Sequence, residues 1–470
     1  MSIEGKKLLG RIGVVLLIFF MLVIGLVSTL PFFWDTIQFG SIHAEYFTQT
    51  RFTSFLLPDQ IDSGHPPFFG LYIALAWKLF GKSLLVSHLA MLPIIALYVY
   101  SSLKLSSYLI PGSLSRWLAL ALVLDTTFLA QATLISPDVG VAAFFLLLIY
   151  GILSDHQPSR FYGALGLSLL SLRGIILVLF MVCFDFLQLN RTEGLKSRVL
   201  KMVHGYMPFV IFGIGFIIYH FIEKGWVGVH PDSPWAPSFY RVGVLGFFKN
   251  LLTFGWRLFD LGHVFVTAPA LVLLYKVSGQ MVVNKKMRQL ILLIVFTALY
   301  LMPQVLFSGL MGYRYFIPLY LATTLLVFYG LYYFIKHRIY TTLLSIIIIL
   351  GMLSGHLWIY PSYLSRGWDS SLAYLPYSQL MDKAKGYLNN MEIPYSIVGT
   401  AFPNLRSEYF THLNNNRRIF KSKDLENDKY ILYSNVMNDF SEVEIKELFS
   451  EWNVVQGWKK GAVEVILFKK

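Results

Sequence analysis

The sequence predicts a mostly α-helical protein that crosses a membrane many times and ends in a small extramembrane α/β domain. Of its 470 residues, 56% are hydrophobic and only 14% are charged. Apolar runs close to the ~20 residues that a membrane crossing needs recur along most of the chain. Short Lys and Arg clusters separate these runs, so the net charge of +13 indicates membrane topology rather than nucleic-acid binding.

About eleven crossings are predicted, with the N-terminus in the cytoplasm and the last crossing leading outward. The first run, 12–30, is interpreted as a retained anchor because no small-residue cleavage signature precedes Pro31. The stretch 66–80 is too short to cross and contains Lys78, so it is predicted to be an amphipathic helix on the outer surface. With this assignment the basic connections fall on the inner side.

The remaining crossings follow from the other apolar runs. They are predicted at 84–108, 117–135, 139–153, two short segments of 161–187 meeting at Arg173, then 202–222, 251–275, 290–310, 316–335 and 341–360. An outer loop rich in Pro, Gly and Trp is predicted at 223–250. Domain 1–360, with its first outer loop at 31–83, is therefore predicted to be the membrane domain.

From residue 361 the charge density rises and the apolar runs shorten, which indicates an extramembrane domain over 361–470. A helix is predicted at 377–390, strands at 395–398 and 429–436, and a hairpin at 453–458 and 463–468. A further helix is predicted after Asp439, where Ser441 and Glu444 fit a capping box. The only cysteine, Cys183, excludes a disulfide within the chain.

Polar residues of the kind that carry catalysis concentrate on the predicted outer face. The loop between the first crossing and the surface helix contains Asp35, Asp62 and His65, and the predicted topology brings Asp138, Arg173 and Arg314 to the same face. Simpler interpretations exist for several of them. Asp35 is also a suitable helix cap, Arg314 an interfacial anchor, and Asp62, like Glu45, a solvated loop acid.

Several of these segments resemble integral-membrane GT-C glycosyltransferases. Residues 34–40 (WDTIQFG) resemble the Asp-Glu-Val-His-Phe-Gly stretch of protein O-mannosyltransferases, and residues 62–67 (DSGHPP) resemble their Asp-x-His-Pro-Pro. Segments 136–138, 172–174 and 313–318 resemble sequences at comparable places in that family and in the bacterial aminoarabinose transferases that modify lipid A. The resemblance implies transfer of a sugar from a polyprenyl-phosphate carrier to an acceptor on the outer face of a bacterial cytoplasmic membrane.

Roles for the outer residues follow from this chemistry. Asp35 is expected to be the general base of an inverting displacement, and Arg173 and Arg314 are expected to bind the lipid phosphate. His65 and Asp62 are expected to orient the substrate. For Asp138 two alternatives stay open: it binds a divalent metal ion together with Asp35, or it holds an arginine in place.

The donor sugar, hexosyl or pentosyl, and the acceptor, whether a lipid, a glycan or a protein, stay open. The alternative function is a transporter or flippase of lipid-linked sugars, which is disfavoured because the sequence has no internal repeat. Two further polar groups are interpreted as structural: Asp125, in the middle of a predicted crossing, and an ion pair among Arg257, Asp260 and His263, which have helical spacing.

Overall fold

The structure is a computed structural model that describes residues 3–188, 194–233, 235–279, 284–309, 311–358, 360, 368–437 and 439–470. The predicted domain boundary at 361 lies outside the described residues.

Helices dominate the chain, and their order follows the predicted apolar runs. The α-helices are α1 (Ile3–Val27), α2 (His43–Gln49), α3 (Phe68–Phe80), α4 (Leu84–Leu89), α5 (Leu92–Leu109), α6 (Leu114–Val123), α7 (Thr126–Ala132), α8 (Pro137–Ser154), α9 (Gln157–Leu170), α10 (Leu172–Gln188), α11 (Leu195–Pro208), α12 (Gly215–Lys224), α13 (Val244–Phe259), α14 (Val264–Ser278), α15 (Lys285–Leu301), α16 (Ile317–Phe334), α17 (Arg338–Ser354), α18 (Pro376–Asn390), α19 (Glu408–Thr411) and α20 (Glu442–Glu451). Short 3₁₀ or π-helical turns extend or join several of them, including Ile37–Ile42, Phe209–Ile214, Ala236–Phe239, Met302–Leu306, Tyr313–Phe316, Gly355–Leu357, Trp368–Ser370, Leu372–Tyr374 and Tyr395–Ile397.

Within the described residues, seven helical stretches are long and apolar enough to cross a membrane, or eight if the bent pair α13 and α14 counts as one crossing. The other predicted crossings correspond to shorter helices: the pair α6 and α7, and α9 and α10 on either side of Ser171. Helix α3 has 13 residues, which span about 20 Å and fall short of a ~30 Å hydrocarbon core. The predicted polytopic helical fold is confirmed, and α3 is too short to cross a membrane, whereas its place on the outer surface stays a prediction.

Helices α8 and α16 form the centre of the bundle. Each is apolar on all sides and mostly buried, with 15 of 18 residues buried in α8 and 14 of 18 in α16, as expected for a helix surrounded by others. Helix α9 packs closely on α8 because glycines at the contact leave room for the backbone. A Cβ on Gly163 would lie only 2.7 Å from Cα of Leu148. This close packing brings the N-terminus of α8 next to the break between α9 and α10.

Two predicted crossings are interrupted by a break between helices. In 117–135, Asp125 ends α6 and caps α7 by accepting a 2.9 Å hydrogen bond from the Phe128 amide. In 251–275 the chain bends by 101° between α13 and α14, where Leu261 and Gly262 have positive φ. Each predicted crossing therefore consists of two helices, and the break between them was not predicted.

The bend also corrects the predicted ion pair in this region, because residues on either side of it do not share a helix face. His263 instead bonds Asp125 at 3.0 Å, which confirms a structural role for that buried acid. Asp260 accepts hydrogen bonds from Trp256 and from the hydroxyl of Tyr313. Such pairing within the bundle offsets the cost of burying these polar groups.

The C-terminal part contains a five-stranded sheet of order β2-β1-β3-β5-β4. Its strands are β1 (Val398–Thr400), β2 (Lys421–Ser422), β3 (Tyr430–Ser434), β4 (Asn453–Lys460) and β5 (Val463–Lys469). Strands β2, β1 and β3 are parallel, whereas β3, β5 and β4 pair antiparallel. The predicted hairpin and the capping box of Ser441 and Glu444 are confirmed, and the strand predicted at 395–398 is instead a 3₁₀ turn leading into β1.

Aromatic residues join this C-terminal part to the first outer loop. The Phe33 ring stacks on Tyr374 with a centroid distance of 4.7 Å, and Trp34 meets Phe402 edge-on at 4.9 Å. The Phe32 amide donates to the carbonyl of Thr411 at 2.8 Å. The segment that leads into Asp35 is thus held between the helical bundle and the sheet.

Candidate active site

Arg314 lies at the centre of a polar cluster formed with Asp35, Asp138, Asp369 and Arg173. It precedes α16 in the turn Tyr313–Phe316, and its side chain is only 8% exposed. Its three guanidinium nitrogens each contact a carboxylate: Nη2 contacts Asp35, Nη1 contacts Asp369, and Nε lies 3.3 Å from Asp138. Three buried or half-buried acids thus share one arginine.

Asp138 joins Arg314 to the second arginine. Its Oδ1 accepts a 3.0 Å hydrogen bond from Nη2 of Arg173, while its Oδ2 faces Arg314. Ser136 caps α8 and Pro137 occupies the first turn, so Asp138 lies at a helix N-terminus, where the helix dipole favours a negative charge. Of the two alternatives for Asp138, the structure shows the contact with the arginines.

Tyr315 lies between the two guanidinium groups. Its ring centroid is 3.8 Å from Cζ of Arg173 and 4.9 Å from Cζ of Arg314. Its hydroxyl is 3.1 Å from Nη2 of Arg314. Such stacking keeps two like charges apart while each faces the electron-rich ring.

Arg173 contacts one carboxylate, whereas Arg314 contacts three. The Arg173 side chain is 20% exposed and borders a cavity of about 280 Å³. His65 and Phe39 line the same cavity. Nδ1 of His65 accepts a 3.2 Å hydrogen bond from the Leu172 amide, so the ring proton is on Nε2. Burial, together with the charge of Arg173, lowers the pKa of His65 to about 3, and the ring is therefore neutral at physiological pH.

Asp35 borders a second cavity of about 210 Å³ together with Asp138 and Arg314. Its Oδ2 contacts Arg314, whereas its Oδ1 has no hydrogen-bond partner among the described residues. Burial raises the pKa of Asp35 above its ordinary value of 3.8, although Arg314 opposes that shift. Trp34, just before it, has φ of +59°, a conformation that costs a bulky residue about 1–3 kcal/mol and that the packing on the C-terminal part must offset.

The structure places Asp62 away from this cluster. Its Oδ2 bonds Nε2 of His220 at 3.1 Å and its Oδ1 accepts from the Gly64 amide at 2.8 Å, so it shapes the turn before His65. The interpretation of Asp62 and Glu45 as solvated loop acids was wrong, because both are buried. Glu45 pairs with Lys82 at 2.7 Å.

Asp369, which comes from the C-terminal side of the chain, is a member of the cluster that the sequence did not predict. Gln131 donates a 2.7 Å hydrogen bond to the Asp369 carbonyl and accepts one from Ser136, which links Asp369 to the cap of α8. Its surroundings in sequence, Gly-Trp-Asp-Ser-Ser, have neither periodicity nor a motif. Only its spatial position next to Arg314 identifies it.

The arrangement does not fit the predicted metal site of Asp35 and Asp138. Both carboxylates face the guanidinium of Arg314, and a divalent cation between them would meet that positive charge at contact distance. Among the described residues no group of three or more Asp, Glu, His or Cys side chains converges as metal ligands. We therefore derive no step through a metal ion.

Taken with this geometry, the chain is a polytopic helical membrane protein with the GT-C fold, and its polar cluster lies at one end of the helical bundle. Two of the solved structures it resembles are those of ArnT from Cupriavidus metallidurans. The structure bound to undecaprenyl phosphate gives a TM-score of 0.51 at 12% identity, and the apo structure gives 0.50 at 13%; each comparison covers 97% of both chains.

A third similar structure is the arabinofuranosyltransferase AftD from Mycobacteria, with a TM-score of 0.51 and 10% identity over 98% of this chain and 40% of AftD. At such low identity these likenesses establish the fold alone. No family model and no curated protein matches the sequence.

Proposed function

We propose that the protein is a glycosyltransferase that moves a sugar, hexosyl or pentosyl, from a polyprenyl-phosphate carrier to an acceptor on the outer face of a bacterial cytoplasmic membrane. In this proposal the N-terminus is cytoplasmic and the C-terminal domain lies outside. The observation that carries the proposal is the convergence of Asp35, Asp138, Arg173 and Arg314 on one face of a GT-C fold.

Arg173 is the proposed ligand of the carrier phosphate. It keeps donors directed to the cavity that it shares with His65, and its planar guanidinium can bind two phosphate oxygens at once. The neutral His65 offers an Nε2–H donor to the same oxygens, which adds a hydrogen bond without a second charge. The likeness to ArnT, solved with undecaprenyl phosphate bound, supports a lipid phosphate here.

Arg314 has a different proposed role. Because each of its nitrogens already contacts a carboxylate, it would have to release one of them to bind the predicted phosphate directly. The three acids and two arginines also carry a formal charge of −1 together, which makes a further anion unfavourable next to all three acids. Arg314 therefore orients the carboxylates, Asp35 among them.

Asp35 is the proposed general base. The acceptor hydroxyl oxygen attacks the anomeric carbon, its proton passes to Oδ1 of Asp35, and the bond from that carbon to the carrier oxygen breaks. The leaving phosphate keeps the electron pair and is stabilised by Arg173. Attack opposite the leaving group inverts the anomeric centre, and the raised pKa of Asp35 makes it a stronger base.

A transporter or flippase of lipid-linked sugars remains the second candidate. It would also use buried arginines, but it has no need of a carboxylate beside a cavity with an oxygen that makes no hydrogen bond to any described residue. Transfer of a sugar is therefore the better explanation of Asp35.

The decisive experiment is to replace Asp35 by Asn and measure sugar transfer by purified enzyme from its lipid-linked donor. Loss of a general base should lower turnover by about 10²–10⁴-fold. Asp59→Asn is a matched control, because that loop acid is paired with Lys224 and lies outside the cluster. Near-normal turnover of Asp35→Asn would remove it from the base role.

The donor and acceptor can be identified by mass spectrometry of envelope glycolipids and glycoproteins with and without the gene. A glycan that disappears in the deletion strain, and returns with wild type but not with Asp35→Asn, would identify the acceptor. Unchanged glycans, with a changed distribution of lipid-linked sugar across the membrane, would favour the flippase.

A further inference from the structure

A large basic cavity lies at the end of the bundle opposite the candidate active site. Its volume is about 1630 Å³ including open solvent, and it is lined by the ends of α5, α6, α15, α16 and α17. Arg314 precedes α16 directly, and the cavity lies at the other end of this 18-residue helix, about 27 Å away. The two sites are therefore separated by nearly the full thickness of a membrane core.

The lining has a strongly positive character. Lys286, Lys336 and Arg338 border the cavity, and among the described residues that line it no side chain is acidic. Lys286 is anchored, since its Nζ donates to the Tyr108 carbonyl at 3.0 Å and lies 4.6 Å from the centroid of that ring. Lys336 and Arg338 are exposed, so they are free to reach a ligand.

Three helix N-termini add to this positive potential. Helices α6, α15 and α17 all begin at the cavity, and each helix start carries partial positive charge on its first amide groups. Asn284 caps α15 with its side chain, but Ser113 before α6 and His337 before α17 make no side-chain cap. Amide donors of two helices thus remain for an anion.

Apolar and aromatic side chains complete the lining at the level of the membrane surface. Tyr332 and Tyr333 are 39% and 37% exposed, as in the aromatic belts of membrane proteins. Ile335, which is half-buried, provides apolar surface next to the cations. A soluble anion would gain nothing from these groups, whereas a lipid can place its phosphate at the cations and its chains along the bundle.

We propose that this cavity binds the phosphate headgroup of an anionic phospholipid of the inner leaflet. This site is distinct from the proposed active site and does not depend on the proposed reaction; its assignment to the inner leaflet rests on the proposed orientation, with the N-terminus in the cytoplasm. Its ligand would hold together the inner ends of helices α5, α6, α15, α16 and α17, because one phosphate can contact cations from more than one of them.

The test uses the full-length protein in nanodiscs and native mass spectrometry, with phosphatidylglycerol as the probe and phosphatidylcholine as the neutral reference. The variant Lys336→Gln/Arg338→Gln removes two exposed cations of the cavity. Since each such cation contributes roughly fivefold to the affinity for an anionic lipid, retention of phosphatidylglycerol should fall by about 25-fold. Lys104→Gln/Arg288→Gln, two exposed cations outside the lining, is the control of equal charge and should bind within about twofold of wild type.

An equal loss in both double variants would overturn the proposal, because binding would then follow the general surface charge. Equal retention of phosphatidylcholine and phosphatidylglycerol by the wild-type protein would also overturn it. Displacement of phosphatidylglycerol by millimolar inorganic phosphate would show a site for soluble anions instead. Melting temperatures of all variants close to that of wild type would confirm that each remains folded.

Discussion

Replacing Arg314 by Gln should destabilise the protein more than any other single change in the polar cluster. Asp35 and Asp369 would each lose their cationic partner, whereas Asp138 would keep Arg173 at 3.0 Å. The Asp369 side chain is only 6% exposed, so water cannot replace the lost contact. Breaking a buried pair in this way costs about 3–5 kcal/mol.

Replacing Arg173 by Gln is the matched comparison. Asp138 would then keep Arg314, and the lost contact is a single charged hydrogen bond at a side chain that is 20% exposed. The expected cost is about 1.5–3 kcal/mol. This variant should nevertheless lose affinity for undecaprenyl phosphate, because it removes the proposed phosphate ligand.

Thermal unfolding in detergent at pH 7.5, followed by intrinsic fluorescence, measures both variants. The double variant Arg314→Gln/Asp369→Asn should melt above Arg314→Gln, since one uncompensated buried charge is removed, with a coupling of about 0.5–3 kcal/mol. The reasoning is refuted if Arg314→Gln melts with the wild type, or if Asp369→Asn gives no recovery.

Three further predictions concern protonation, packing and burial. The transfer rate should fall with decreasing pH as Asp35 becomes protonated, with a midpoint above 3.8 because burial raises the pKa of Asp35. His65, with a pKa of about 3, should add no step at higher pH. A midpoint at or below 3.8 in the pH–rate profile would contradict this prediction. Gly174→Ala should cost about 1–3 kcal/mol of stability and impair carrier binding, because the new Cβ would lie 2.1 Å from the carbonyl oxygen of Leu167 in α9. Gly25→Ala is the control and should not lower the melting temperature, because Gly25 has open space around it. Asp125→Ala should lower the melting temperature strongly, because it removes both the partner of the buried His263 and the cap of α7. The protein that stays folded should bind undecaprenyl phosphate as wild type does. A normal melting temperature would contradict the structural role of Asp125.

Much of the fold could be predicted because membrane crossing imposes a strong pattern on sequence. Long apolar runs identified the main helices, and the short run 66–80 identified α3, a helix too short to cross. What the sequence did not predict are the breaks between helices inside two apolar runs. Asp125 caps a new helix inside the run 117–135, and the turn at Leu261 and Gly262 redirects the chain inside the run 251–275. Both runs stay apolar overall, so the hydropathy on which the prediction rested does not show these breaks.

The candidate site shows a similar division. The sequence by itself predicted that Asp35, Asp138, Arg173 and Arg314 lie on one face, since alternating crossings and basic inner loops assign each loop to a side, and the four side chains do meet in the structure. It also determined the helical membrane fold, because composition and run length leave few alternatives.

Only the tertiary structure decided which of these side chains meet. Arg314 is shared by three acids, one of them Asp369 from far along the chain, and Asp62 bonds His220 rather than the cluster. Such contacts depend on the packing of α8, α9 and α16 and on the rotamers of long side chains. Neither leaves a periodic signal in the sequence, since each contact joins residues that are distant along the chain and close in space.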